Sequence, residues 1–299
     1  MIDVHCHLLP DSYSQLQEEL GAGAPKGAPA PAGLWEPDAC WERLPADGWA
    51  VVAPPPLAFL DDLDDEPRAR FAAALNDGMV GLAAGRERAA VLGWLPLGDP
   101  AAAVAEVERL AAEKQVVGMA VGVAPGSPSL ADPALDPVWA ALAAAELALF
   151  VHPDGDPLGV ARDGGKPSVL GFPTVTTAAL LDLIASESGI WESGVGICAA
   201  HGGAFITTVF SRATRLASPH VRAEHERRLA SIFIDGVVFD ERLHRFIADS
   251  FPTGRMLLGS DWPFPLSLTR DELVAQAESS PIDPLQAATA WAPRLAGLA

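Results

Sequence analysis

The tetrapeptide VHCH at residues 4–7 sets two histidines one residue apart, close to the start of the chain. Three more ionisable side chains occupy comparable settings: His152 in FVHP, His201 in AHGG and Asp261 in GSDWPF, each at the end of a short apolar run. Any one of them alone reads as a hydrogen-bonded polar residue near a strand end. The group is harder to explain as core filler, because a buried imidazole or carboxylate is costly unless it is paired or bound to a cation. A divalent metal ion would supply that compensation. Imidazole and carboxylate suit Zn²⁺, and also Mn²⁺, Fe²⁺ or Co²⁺. His220, His225 and His244 lie among charged residues in helical or loop segments and are expected to be solvated.

The segments that must position these groups recur in a regular order. Short apolar runs begin at residues 2, 49, 89, 116, 147, 195, 230 and 256, and all of them read as strands buried on both faces. Helical patterns lie between them, at 99–114, 136–146, 175–188, 240–251 and 270–279. This alternation predicts a (β/α)8 TIM barrel, an α/β fold in a single domain over 1–299, with a doubly wound sheet as the competing topology. No glycine fingerprint follows the first strand, which weighs against dinucleotide binding. In a barrel the C-terminal ends of the strands form one face, where active sites assemble. His5 and His7, two residues apart in a strand, would both point inward there, and Cys6 would point outward. Two Gly- and Pro-rich stretches exceed ordinary loop length, and 11–40 and 153–173 are expected to be lid or specificity insertions after strands one and five.

Composition narrows the partners. The net charge of −19 argues against nucleic acid and requires a local cation wherever an anionic substrate binds. No signal sequence or membrane-spanning run is expected, and the three scattered cysteines read as reduced thiols of a cytoplasmic protein.

VHCH, FVHP, AHGG and GSDWPFP together resemble the amidohydrolase superfamily (amidohydrolase family 2). Within it, LADPALDPVWAALAAAELALFVHP, HGGAFITTVFSR and IDGVVFDERLHRFIADSFPTGRMLLGSDWPFPL resemble the aminocarboxymuconate-semialdehyde decarboxylase branch. The resemblance covers residues 1–10 and 90–299. It implies that His5, His7, His152 and Asp261 ligate one metal, with Zn²⁺ the first choice, and that His201 is the catalytic general acid/base. Superfamily members with two metals bridge them through a strand-four lysine; VVGMAVGV has none, and Lys114 precedes it. The resemblance also gives Arg212 the role of binding a substrate carboxylate in a neighbouring subunit, which implies a homodimer.

The branch's second carboxylate-binding arginine, before LWEP, is missing here, where only Lys26 is near. Arg162 and Lys166 are other candidates for a substrate carboxylate. Trp262 and Phe264 could wall an apolar pocket. The implied activity is metal-dependent, non-oxidative decarboxylation of an aromatic or unsaturated carboxylic acid. Hydrolysis of an amide or lactone, or hydration, is the alternative on the same residues.

Overall fold

The computed structural model describes residues 1–20, 30–60, 63–154 and 167–298. Eight parallel strands follow one another around a single sheet in the order β1 to β8. They are β1 (Ile2–His7), β2 (Trp49–Ala53), β3 (Ala89–Trp94), β4 (Val116–Val123), β5 (Ala148–Pro153), β6 (Ile197–Ala199), β7 (Phe233–Asp235) and β8 (Met256–Leu257). The helices of the first half are α1 (Tyr13–Glu19), α2 (Pro37–Glu42), α3 (Asp65–Ala83), α4 (Pro100–Leu110) and α5 (Asp136–Ala144). Those of the second half are α6 (Pro167–Ala185), α7 (Ile190–Ser193), α8 (Ile206–Ala213), α9 (Pro219–Ser231), α10 (Glu241–Asp249), α11 (Arg270–Ser279) and α12 (Pro284–Trp291). The architecture is the (β/α)8 barrel that the alternation predicts.

Why these runs become strands is visible in their burial. Every residue of β1, β3 and β5 is buried, as a parallel sheet covered by helices outside and by packed side chains inside requires. Alternation then sorts the faces. On β5, Leu149 and Val151 pack with the helix-facing core. Ala148 and Phe150 pack inside with Cys198 and Phe233, so His152 continues the inward set. Helix starts carry their own signals: Asp99 accepts from the amides of Ala101 and Ala102 at the head of α4, and Thr269 and Glu272 cap α11 reciprocally.

The barrel closes where β1 meets the chain just beyond β8. The amide of Val4 donates to Leu258 O at 2.9 Å, that of Asp261 to His5 O at 2.8 Å, and that of His7 to Trp262 O at 2.8 Å. Behind this seam, the fully buried Asp3 carboxylate accepts from Ser260 Oγ at 2.6 Å, from the Ser260 amide at 3.0 Å and from the His5 amide at 3.1 Å. It also pairs with Arg43, just past α2. A β-bulge in β1 falls between Asp3 and Cys6. The expected outward turn of Cys6 is observed: its sulfur lies 4.0 Å from that of Cys40 on α2.

Several expected boundaries move. β6 stops at Ala199 and β8 at Leu257, so His201 and Asp261 lie on the turns that follow, not on the strand ends. The seam with β1, and not strand geometry, fixes Asp261. α6 starts at Pro167, so the end of the expected 153–173 insertion is helix. Pro173 lies inside that helix, and the hydroxyls of Thr174 and Thr177 bond back to the carbonyls of Leu170 and Pro173. The described parts of 11–40 are packed elements, with Tyr13, Leu34 and Cys40 buried. The window Ser168–Ala185 is long and apolar enough to cross a membrane by length and composition alone, though Asp182 interrupts it. It packs against β4, β5, α8 and α9 as one of the barrel's outer helices.

The seam makes a stability prediction. Asp3→Ala would leave the largely buried Arg43 without its carboxylate and Ser260 Oγ without its nearer acceptor, and should cost roughly 3–5 kcal/mol, read as a lowered midpoint in chemical denaturation. A cost under about 1 kcal/mol, within the range of exposed ion pairs, would show that the network does not hold the seam.

Candidate active site

Five side chains meet at the mouth formed by the C-terminal ends of β1 and β5 and the turns after β6 and β8. One ligand atom from each of His5, His152, His201 and Asp261 lies within 4.8 Å of all the others. His7 joins this set from the side: its Nε2 is 3.0 Å from His5 Nε2 and 3.3 Å from Asp261 Oδ1. His5 Nε2 is 3.4 Å and His201 Nε2 3.7 Å from the same carboxylate. His5, His7 and His152 are almost fully buried; the His201 side chain is 17% exposed and is the one open to an incoming molecule.

Second partners decide which nitrogens face the centre. His5 Nδ1 lies 2.6 Å from Asp235 Oδ2. His152 Nδ1 lies 2.7 Å from Pro153 O. A carbonyl and an ionised carboxylate only accept, so in each neutral ring Nδ1 carries the proton and Nε2 turns its lone pair inward. His152 Nε2 is buried with no hydrogen-bond partner among the described residues. An orphaned acceptor of this kind costs about 1–3 kcal/mol, and it sits where a cation would relieve it. The donor set, imidazole nitrogens plus one carboxylate, fits a single divalent ion.

Electrostatics follow from the same contacts. Burial works against charging His5, but Asp235 above all, then Asp261 and Asp3, outweigh it and raise its pKa. Burial, reinforced by neighbouring histidines, drives His152 well below the ordinary value and lowers His7. Burial opposes ionisation of Asp261, yet bonds to His201 and His7 and the charge of His5 hold its carboxyl well below the usual range. Asp235 is lowered by His5 and the Gly202 amide despite its burial.

The backbone is bent to bring these groups together. His201 has φ 58° and Asp261 has φ 62°, both in the left-handed region. Each costs a non-glycine residue about 1–2 kcal/mol. Gly202 and Gly203 follow at φ 64° and 69°, and a β-carbon at Gly202 would come within 2.8 Å of Val238. The AHGG motif is therefore a turn only those glycines allow.

The structure unites His5, His7, His152, His201 and Asp261, sets Phe264 beside them, and places Trp262 and Arg212 elsewhere. Phe264 packs edge-on to His7 with ring centres 5.4 Å apart. Trp262 does not wall the site. Its ring lies under the Arg43 guanidinium at 5.6 Å and against Gly33, behind β1, because the seam hydrogen bond that its carbonyl accepts from the His7 amide fixes this segment. Arg212 is exposed in the last turn of α8, outside the cluster. Lys26, Arg162 and Lys166 lie outside the described residues.

Sequence reading missed Asp235, Asp3 and Phe172. Asp235 sits inside the apolar run ASIFIDG, and an acid in a buried strand is the signal that could have found it. Asp3 offers the same signal beside VHCH. Phe172, 6.5 Å from His152 between ring centres, comes from α6 and carries no such signal.

In chelator-treated protein, Asp235→Asn removes the charge that raises the His5 pKa, so burial should win and His5 should protonate at lower pH than in the wild type. An NMR titration of the His5 ring checks this; an unchanged midpoint would remove Asp235 as the cause.

The amidohydrolase family model matches residues 2–288. A curated relative, 2-amino-3-carboxymuconate-6-semialdehyde decarboxylase from Dictyostelium discoideum, is 24% identical over 89% of this chain and 82% of its own length. Among solved structures, a 5-carboxyvanillate decarboxylase from Novosphingobium aromaticivorans, complexed with manganese and 4-hydroxy-3-methoxy-5-nitrobenzoic acid, superposes with TM-score 0.74 at 18% identity over 97% of this chain and 92% of that one. A 4-oxalomesaconate hydratase from Rhodopseudomonas palustris superposes with TM-score 0.71 at 17% identity over 99% and 97%. Likeness at this level carries the fold, and these two enzymes run different reactions on it.

Proposed function

The chain belongs to the amidohydrolase family, and from that premise we propose that it is a metal-dependent, non-oxidative decarboxylase of an aromatic or unsaturated carboxylic acid. The observation that carries this reading is the inward convergence of buried, pre-oriented imidazole nitrogens on the Asp261 carboxylate. Support for decarboxylation comes from the curated relative. His5, His7, His152 and Asp261 would hold one divalent ion, Zn²⁺ or, as in the manganese-bound decarboxylase, Mn²⁺. Bound there, the ion would supply positive charge to draw in a substrate carboxylate and to offset the charge that develops as CO₂ departs.

The remaining steps belong to the chain's own residues. Phe264 and Phe172 flank the imidazoles and offer aromatic faces to a planar substrate. As the bond to the carboxyl carbon breaks, CO₂ leaves without the electron pair, which stays on the substrate carbon. That carbon takes a proton from the His201 imidazolium, and solvent returns one to the ring, which is exposed enough to receive it. Asp261 Oδ2 lies 3.7 Å from His201 Nε2. Asp235 and the Pro153 carbonyl hold His5 and His152 in the tautomers that aim Nε2 at the centre.

Arg212 would bind a substrate carboxylate in the second subunit of a homodimer. Its exposure at the end of α8, four residues before the 98%-exposed Leu216, supports that placement. The three free, buried cysteines fit a cytoplasmic setting. The hydratase on the same fold keeps hydration as the second reading, and the product separates the two.

Three measurements test the proposal. Metal analysis should find about one equivalent per chain, lost in the His5→Ala/His7→Ala double variant and on chelation, with activity lost alongside; a chelator-insensitive active protein would refute it. His201→Asn should cut kcat by at least about 100-fold with metal content unchanged, whereas loss of metal would make His201 a ligand. A ¹³C-carboxyl substrate should release labelled CO₂; retention of label with water added would establish hydration. For the dimer, Arg212→Ala should raise KM for carboxylate substrates, and a fully active monomer on sizing would exclude its role across subunits.

A further inference from the structure

The opposite mouth of the barrel holds a cleft of about 410 Å³, walled by the residues that lead into β5, β6, β7 and β8 and by the end of α12. It is remote from the histidines: Arg255 lies just before β8, Asp261 beyond its other end, and the six residues of β5 alone span roughly 20 Å. Its lining includes Trp191, Phe233, Trp291, Ile190 and Arg255. Both indole N–H groups are engaged, Trp191 with Leu183 O and Trp291 with Leu149 O, each at 3.3 Å. Trp291 is fully buried, so it is the part-open Trp191 ring that presents carbon to the cleft.

Arg255 is the anomaly. Its guanidinium lies over the Phe233 ring, 4.2 Å from its centre, and makes no ion pair or side-chain hydrogen bond among the described residues. Burial lowers its pKa with no acid opposing the effect. One carboxylate, Glu146, stands on the lining, but it is exposed at the rim and its charge acts on Arg294. In a chain of net charge −19, a half-buried arginine left uncompensated above an aromatic floor is a prepared anion site. Stacking on Phe233 occupies one guanidinium face and leaves the N–H edge free for two parallel bonds to a carboxylate.

We propose that this cleft binds a small apolar monocarboxylate, its body against Trp191 and its carboxylate on Arg255. The ligand class follows from the lining: the part-open Trp191 ring for the body, one cation for the head, and no second free cation for a dianion among the described lining residues. The site is independent of the metal chemistry at the other mouth.

The test uses the full-length protein and benzoate as probe. In ¹H–¹⁵N spectra, with indole signals assigned by Trp→Phe variants, benzoate should shift the Trp191 signal saturably. Arg255→Gln should weaken that binding at least about tenfold, and Arg255→Lys should retain part of it. Neutral benzamide, of the same shape, should not bind measurably. Should Arg255→Gln fail to fold, the benzamide comparison and Arg255→Lys still decide. The proposal is overturned if benzoate leaves the Trp191 indole unmoved, if Arg255→Gln binds as tightly as the wild type, or if benzamide binds equally well. Binding confined to the histidine mouth would leave Trp191 still, and so counts against it.

Discussion

The seam between β1 and the segment after β8 is the contact on which the rest of the molecule depends. One carbonyl, that of His5, accepts the Asp261 amide at 2.8 Å, so the main chain that closes the barrel also sets a carboxylate beside two imidazoles. Asp3 anchors the seam from behind, taking up Ser260, the His5 amide and Arg43 with a single buried carboxylate. A barrel closed by backbone bonds alone would hold its mouth less firmly. A buried ion pair tied into those bonds resists sliding, because a shift of register would strand charge in the core.

Strain gathers at the same mouth. His201 and Asp261 are two of the few non-glycine residues with positive φ among those described. Neither conformation is favoured locally, and each persists because neighbouring contacts over-determine it: the seam for Asp261, the glycine turn and the Asp235–Gly202 bond for His201. Asp235 thus serves two elements, orienting His5 with one oxygen and fixing the turn that carries His201 with the other. The paired demands explain why an acid is tolerated inside β7, where its burial alone would oppose ionisation.

The two mouths divide the labour of a barrel in the usual sense, with chemistry at the C-terminal ends of the strands and stability at the other. The Arg255 cleft departs from that division. There a half-buried guanidinium lies over an aromatic ring with no acid paired to it among the described residues. Acidic residues outnumber basic ones by 39 to 20 in the chain, so the lack of a partner here reflects local geometry and not scarcity.

The sequence by itself determined the class of fold and the identity of the five central residues. Both are legible because they rest on short-range regularities: strand and helix periods repeat locally, and His or Asp at the end of an apolar run is visible in a few residues. What the sequence misplaced is equally local in cause. Strand ends at Ala199 and Leu257 are set by pairing with neighbours and not by hydropathy, so His201 and Asp261 were read as strand termini when they sit on strained turns. Trp262 and Phe264 are two residues apart and look equivalent in GSDWPFP, yet one packs behind β1 on Arg43 and the other against His7. Only the tertiary structure could decide that, and only it could join Asp3 to Ser260, Asp235 to His5 and Phe172 to His152. These pairings close loops of many residues, and their energy comes from burial and hydrogen bonding between segments that carry no local record of each other.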